Sequence, residues 1–335
     1  MKAIHVWDNS FDKYWVNGLA KISGATPMYS LGVRQFDHEI FSSILKQDDS
    51  FVVLSDSDEI LALVPLYCFK DDMGVLEYRY AGEYLRAPLI DGFPSSKRYE
   101  KIQKFVFSYI EDLAREKKVI SHKTMVEAVE LIEGRYYYNY LTDFGYNDES
   151  SVCQLIDSSK DIDYLWADIR KSYRPLINRA EKNFSCEIVS FDNYSFDKCE
   201  EYRKLHFNAT GRQTRDIKSF YLMYDMVKNK QAFISFVIEK DDQIVASHFF
   251  YVLGAYCLYA SSAIDPDMPH DCGIGHFGMW QGIKTAHDMG CSFIDMGQLR
   301  LTSNPSDKEM NIALFKKGFG GRTVTVFRGT KTFFK

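Results

Sequence analysis

Ala232-Phe-Ile-Ser-Phe-Val-Ile-Glu239, Lys240-Asp-Asp-Gln243 and Ile244-Val-Ala-Ser-His-Phe-Phe-Tyr-Val252 read as two apolar strands joined by a polar turn. Runs of β-branched and aromatic residues on either side of a short acidic break predict a hairpin. Downstream, Gly254 to Ser262 reads as a third strand and Asp265 to Cys272 as a Pro-containing loop. Gly273 to Met289 is a helix ended by Gly290, and Ser292-Phe-Ile-Asp-Met296 is the next strand. The same order stands earlier in the chain. Phe51-Val-Val-Leu54, Asp56-Ser-Asp-Glu59 and Ile60 to Tyr67 predict a hairpin, and Gly74 to Tyr80 a third strand. Gly82 to Gly92 form a loop, and Lys97 to Lys117 a helix with Phe105, Tyr109, Ile110 and Leu113 on one face. Thr124 to Ile132 and Arg135 to Leu141 would complete this half as a strand pair. Even the phrase acid-x-Ile-x-Ala recurs, at Asp58–Ala62 and Asp242–Ala246.

The repeat predicts an α/β (α+β) protein of two tandem units, 1–150 and 151–335. Each would be a mixed, largely antiparallel sheet flanked by helices, with a cleft where the units meet. A length of 335 residues agrees, at about 150 residues per domain. Before the first hairpin, Phe11 to Ile22 and Asp37 to Leu45 are possible helices. Between the repeats, Tyr164 to Arg170 and Pro175 to Lys182 read as short helices and Cys186 to Ser190 as a strand. Lys198 to Asn208 and Ser219 to Lys228 are helices. Near the end, a helix-forming run from Asn311 stops after Lys316-Lys317 and passes through Gly320-Gly321 to the strand-like Thr323-Val-Thr-Val-Phe327.

Composition excludes several classes. Hydrophobic content of 46% with 15% aromatics supplies folded cores rather than a disordered chain. A net charge of −5 argues against a surface built throughout for nucleic acid. The residues from Leu301 on, with seven Lys/Arg against two acids, carry +5 and leave −10 to the remainder. That asymmetry favours a polyanionic group docking at the C-terminal corner. Seven cysteines without a C-x-x-C pair imply a reducing compartment. No His/Cys spacing fits a metal site. The first residues lack the apolar core of a signal peptide. The apolar stretch from Ile60 to Phe69 is about half a membrane span, so a cytoplasmic protein without transmembrane segments is expected.

Several residues have the chemistry for a site, each with a plainer alternative. His270-Asp-Cys-Gly273-Ile-Gly275 places two glycines at a helix start, where free amides can hold a phosphate or where the helix simply packs closely. Arg212 and Arg215, in the polar loop from Gly211, suit phosphate or carboxylate binding, and Tyr84 and Arg86 are their N-terminal counterparts. All four also read as ordinary surface-loop polarity.

The chain resembles the GNAT-like acyltransferases of the FemAB/FemX type, which carry two GNAT-type domains in tandem. The resemblance lies in Trp280-Gln-Gly-Ile-Lys-Thr-Ala-His-Asp-Met-Gly290, Phe293-Ile-Asp-Met-Gly297 and Phe315-Lys-Lys-Gly-Phe-Gly-Gly321. These are similar to the family's helix ending in Ala-x-x-x-Gly, its Asp-x-Gly strand end and its Phe-Lys-x-Gly-Phe-Gly corner. The Trp166 to Lys182 stretch is similar to its basic helix, while the N-terminal half matches in element order. The resemblance implies transfer of an acyl group from coenzyme A, or of an amino acid from aminoacyl-tRNA, to an amine on a cell-envelope precursor. Ordinary coenzyme A users have Arg or Gln three residues before the first phosphate-loop glycine. Here His270 stands there while Gly273 and Gly275 fit, which leaves the donor open.

Lys316 falls on the family's Phe-Lys position, associated with catalysis by charge stabilisation. Amide formation passes through an oxyanion, which a fixed cation stabilises. The attacking amine must also lose a proton. Asp295 at a strand end and His248 in the second hairpin are candidate acceptors, unless Asp295 only caps a turn and His248 is a core histidine. Transfer would be direct, since no cysteine or serine has a recognisable nucleophile setting. The expected enzyme binds donor and reacts in residues 151–335, with 1–150 shaping the cleft for a phosphorylated or nucleotide-linked amine acceptor. The rival expectation is a degenerate acyltransferase fold that binds RNA or a phosphorylated precursor through the basic tail.

Overall fold

The computed structural model describes residues 1–71, 73–128, 136–269, 271–299 and 305–334. The chain divides into two compact units, Met1–Ser151 with Thr325–Lys335, and Val152–Val324.

The first unit opens with β1 (Lys2–His5), α1 (Phe11–Lys21) and α2 (Leu31–Ile40). There follow β2 (Leu45–Asp48), β3 (Phe51–Leu54), β4 (Ile60–Val64), β5 (Tyr67–Lys70) and β6 (Leu76–Tyr78). The short β7 (Leu85–Arg86) and β8 (Leu89–Ile90), then α3 (Lys97–Lys117), β9 (Ser121–Met125) and β10 (Asn147–Asp148), complete this part. The hairpin expected over Phe51 to Tyr67 forms only as far as Val64, with β3 paired antiparallel to β4 from Phe51↔Val64. Pro65, which has no N–H for a ladder, separates β4 from β5, and the two lie in different sheets. One sheet has the order β1-β3-β4-β8. The second helix lies at Leu31–Ile40 rather than 37–45, because Ser30 caps it by accepting from Val33 N. Of the expected final strand pair, residues 129–135 lie outside the described residues, and Tyr140–Phe144 is a 3₁₀ turn.

The second unit contains β11 (Ser151–Asp157), α4 (Ile162–Asp168), α5 (Arg174–Asn183), β12 (Ser185–Val189), α6 (Phe196–Thr210) and α7 (Ile217–Lys228). The hairpin expected over Ala232 to Val252 is β13 (Ala232–Ile238) with β14 (Ile244–Leu253), followed by β15 (Tyr256–Ile264), α8 (Ile274–Asp288) and β16 (Phe293–Gln298). The corner is α9 (Asp307–Lys317) and β17 (Arg322–Val326). The sheet runs β12-β13-β14-β15-β16-β11-β17. It is largely antiparallel, with β15 and β16 parallel. α8 lies on one face, where glycines let it approach the strands. A Cβ on Gly278 would stand 2.6 Å from the His248 ring, and one on Gly282 would stand 2.3 Å from the Phe250 ring. The other face carries α6, whose Tyr202 ring meets Phe249 at 5.6 Å.

The chain closes with β18 (Arg328–Thr332), which lies in the first unit's second sheet, ordered β10-β18-β9-β6-β5-β2. The tail therefore does not stay wholly with the second half, as the sequence suggested. Each unit has its own apolar core, one around Phe51, Tyr78, Val106 and Phe107, the other around Phe233, Phe250, Phe277 and Ile294.

Candidate active site

β15 and β16 are paired only at Tyr256↔Phe293, Cys257↔Ile294 and Leu258↔Asp295. Beyond that point β15 continues beside β14 as far as Ile264, and β16 continues beside β11 to Gln298. The two strands part, so the facing edges hold main-chain groups that a ligand can use. A bulge falls at the same place. Phe249 lies opposite Ser261 and Phe250 opposite Tyr259, which leaves Ala260 as the extra residue.

The C-terminal corner reaches the same strand end. α9 starts at a capping box, with Ser306 Oγ accepting from Glu309 N and the Glu309 carboxylate accepting from Ser306 N at 2.8 Å. At its other end Lys316 Nζ donates to the Gln298 carbonyl oxygen at 2.9 Å. Gly297 has a φ of +82°, and a Cβ there would stand 3.0 Å from Lys316 Nζ. Asp295 Oδ1 accepts from Gly297 N at 2.6 Å, so the carboxylate caps this turn as well as standing in the site. Its neighbours Ile294 and Met296 belong to the core beneath α8. Strand alternation therefore directs Asp295 to the opposite, α6 face. Lys316 and Asp295, far apart in sequence, flank one glycine where the strands diverge.

The helix is not closed by a left-handed glycine immediately after its last residue. Gly318 has a helical φ of −68°. It is glycine because a Cβ would lie 2.0 Å from the Tyr173 ring. The left-handed residues are Gly320 and Gly321, at φ +85° and +75°. Gly321 N donates to Asp168 Oδ2 at 2.6 Å. Tyr173 donates to the Leu314 carbonyl at 3.1 Å. His276, on the first turn of α8, meets the Tyr173 ring edge-on at 4.3 Å and Phe315 at 5.2 Å. One aromatic block thus joins the start of α8 to the end of α9. Burial holds His276 down to about 4, so it is neutral at ordinary pH.

Gly273 begins α8 with a φ of +80°, and a Cβ there would stand 2.5 Å from the Leu176 carbonyl oxygen of α5. A Cβ on Gly275 would stand 2.8 Å from Ile264 Cδ1. Both glycines therefore have packing reasons beside any phosphate role. His270, the first residue of that expected phosphate loop, lies outside the described residues. Asp271 is held beside this turn by Arg179, which donates to its carbonyl oxygen at 3.2 Å. His248 is buried beneath α8, and burial lowers it to about 3. It lies against the Gly275 main chain, yet neither ring nitrogen makes a hydrogen bond of ordinary geometry among the described residues.

On the α6 face, the loop between α6 and α7 brings Arg215 over the Phe220 ring at 4.5 Å and within 3.4 Å of His206 Nε2. Burial and the neighbouring Arg215 charge lower the pKa of His206. Tyr202, one turn before His206, hydrogen-bonds Ser261 Oγ on the diverging part of β15 at 2.6 Å. Arg212 is exposed in the same loop. Tyr84 and Arg86 belong to the first unit. Tyr84 donates to Glu149 Oε2, and Arg86 is ion-paired with the buried Glu127.

Residues 166–304 match the sequence profile of the Acetyltransferase (GNAT) domain family. The chain carries a GNAT acyltransferase domain. No curated protein matches the sequence. Among solved structures the fold is similar to that of FemX, with a TM-score of 0.69 at 12% identity over 98% of this chain and 97% of that one. It is also similar to L-PGS from Bacillus licheniformis, with a TM-score of 0.60 at 13% identity over 94% and 90%. A tandem GNAT protein from the clavulanic acid biosynthesis pathway gives 0.53 at 10% identity over 100% and 99%. The domain match makes the chain an acyltransferase, and the likeness to these structures shows the FemX type of tandem GNAT fold.

The sequence named Lys316 and Asp295, which the fold brings together about Gly297, and did not name the neighbouring Tyr173, His276, Tyr202, His206 or Tyr259. The one available signal was Tyr259-Ala-Ser-Ser262, a polar, small-residue end to an otherwise apolar strand. Among the described residues no group of His, Cys, Asp or Glu is arranged to hold a metal. No helix among them is long and apolar enough to cross a membrane.

Proposed function

We propose that this acyltransferase moves an acyl or aminoacyl group from a coenzyme A thioester or aminoacyl-tRNA to an amine on a nucleotide-linked sugar or cell-envelope precursor, by direct attack. The observation that carries the reading is the placing of Lys316 and Asp295 about Gly297, where β15 leaves β16. The donor carbonyl enters the gap between the strands. Lys316 stabilises the oxyanion and Asp295 receives the proton of the attacking amine. Arg212 and Arg215 hold an anionic group of the acceptor.

The choice of donor is informed by the start of α8. Gly273, Ile274 and Gly275 are buried, and the Leu176 carbonyl stands close against Gly273. A helix start covered in this way is a poor seat for a pyrophosphate. That supports the aminoacyl ester over the thioester, as does the name of another structure of similar fold, a putative lysylphosphatidylglycerol synthetase domain from Agrobacterium fabrum, with a TM-score of 0.56. Incubation with panels of acyl-coenzyme A and aminoacyl-tRNA donors, read by mass spectrometry of amine acceptors, tests the assignment. Product from thioesters alone removes the tRNA donor. Salt-sensitive RNA binding with no product from either panel would favour a binding module instead.

A further inference from the structure

A cavity of 270 Å³ lies among Phe191, Asp192, Lys230, Ala232, Val252 and Met289. Val252 is opposite Cys257, which is still paired with Ile294, whereas β15 and β16 part only beyond Leu258. The cavity and the gap therefore open at opposite ends of the strands. Its volume falls just under the ~300–1,000 Å³ of pockets for drug-sized ligands, so it suits one smaller molecule.

Lys230 closes α7 in left-handed backbone, with a φ of +61°. Gln231 N donates to the Met226 carbonyl at 2.8 Å, and Lys230 N to that of Val227 at 3.3 Å. This pair of bonds ends a helix through one left-handed residue, a place that glycine usually fills. A long cationic side chain is kept there against the preference of the backbone. Its ammonium lies over the Phe191 ring at 4.3 Å, beside the cavity. Asp192 lines the same cavity from the 3₁₀ turn Phe191–Asn193, which Ser190 N fixes by donating to Asn193 Oδ1 at 2.8 Å. Lys230 and Asp192 form no ion pair with one another or with any other of the described residues. Two opposite charges thus border one small space whose remaining walls, Ala232, Val252 and Met289, are apolar.

We propose that this cavity is a binding site for a free α-amino acid with an aliphatic side chain. Lys230 holds the carboxylate, Asp192 holds the ammonium, and Phe191, Val252 and Met289 take the side chain. Such a molecule carries both charges on one carbon at neutral pH. A simple acid would leave Asp192 unpaired beside an added negative charge, and a simple amine would do the same to Lys230, so the pair selects the zwitterion. The site stands apart from the gap and does not depend on the transfer reading.

The test is titration calorimetry of the full chain with L-leucine, L-leucinamide, which lacks the carboxylate, and isocaproate, which lacks the ammonium. Leucine is expected to bind saturably, and each analogue about tenfold or more weaker, the size of one lost charge-assisted contact. Lys230→Gly suits the left-handed backbone, so it should unfold no lower in temperature than wild type. It should weaken leucine about tenfold while leaving leucinamide unchanged, and Asp192→Asn should weaken leucine while leaving isocaproate no weaker. Absence of saturable leucine binding overturns the site. So does isocaproate or leucinamide binding as well as leucine, or leucine affinity that neither variant changes.

Discussion

Lys316 donates from Nζ to the carbonyl oxygen of Gln298 across 2.9 Å, joining the last turn of α9 to the last residue of β16. The helix end favours the cation through its dipole, and the strand end fixes where the charge stands. An ammonium has three N–H donors, and the one given to Gln298 sets where the charge stands, the position from which we propose that it acts on a developing oxyanion.

Replacing Lys316 by Ala is therefore expected to lower turnover by roughly 10²–10³-fold, the size seen when one oxyanion donor is removed. The fold should persist, because the core beneath α8 does not include this side chain. Steady-state rates at saturating donor and acceptor, with circular dichroism and thermal unfolding as controls, check this. Unchanged turnover would remove Lys316 from the mechanism.

Gly318 makes a different demand. Its φ is ordinary for any residue, so the constraint lies in the Tyr173 ring, which a Cβ would meet at 2.0 Å. Gly318→Ala should destabilise the protein by about 1–3 kcal/mol, as overpacking does. Because the aromatic block joins α9 to α8, turnover should fall with it. Denaturant midpoints measure the first effect, and an unchanged midpoint would show that the ring gives way.

Two buried histidines and the half-buried His276 make the fold sensitive to acid. Burial lowers His122 and His248 to about 3 and His276 to about 4. The unfolded chain, with histidines near 6.5, binds more protons than the fold below that pH. The stability is whole above about pH 6.5 and is lost progressively as pH falls toward 4. His248 alone contributes on the order of 4 kcal/mol to that loss, since each tenfold change in proton affinity is worth about 1.4 kcal/mol. Asp37 runs the other way. Burial raises it to about 7, so the stability it lends is present below about pH 4 and is lost as pH rises through 7. Urea midpoints from pH 7.5 to 4.5 should fall for wild type and fall less for His248→Gln, whereas Asp37→Asn should gain near pH 7.5. A flat wild-type profile would contradict the histidine account.

What the sequence disclosed follows how local each cause is. The hairpin of β13 and β14 was legible because β-branched runs and an acidic turn act within twenty residues. Lys316 was legible from Phe-Lys-Lys-Gly, yet its partner Gln298 was not, since only the folded sheet brings them together. α9 begins four residues before the expected Asn311 because the Ser306 and Glu309 capping box was passed over. The role of Tyr173 was hidden for another reason. In a chain with 22 Tyr and 25 Phe, an aromatic that packs against the corner between α9 and β17 looks like any core residue. The destination of β18 was hidden most completely, because its partners Met125 and Asn147 lie about two hundred residues away.

β18 lies between β9 and β10, opposite Ser121–Met125 on one side and Asn147 and Asp148 on the other. Glu149 fixes it by accepting from Thr330 Oγ1 at 2.7 Å and from Arg328 Nε and the Tyr84 hydroxyl. Arg328 also covers the Tyr84 ring at 4.6 Å. Gly329 allows the close pairing, since a Cβ would stand 2.6 Å from the Asn147 carbonyl oxygen. A chain ending at Val324 leaves β9 with an unpaired edge and Glu149 without Thr330 and Arg328, so the first unit should lose cooperative unfolding. Hydrogen exchange at Ser121–Met125 gives the readout. Fast exchange there with retained protection in β13 and β14 is the expected pattern, and full protection of β9 in the shortened chain would show that the first unit's sheet holds without its last strand.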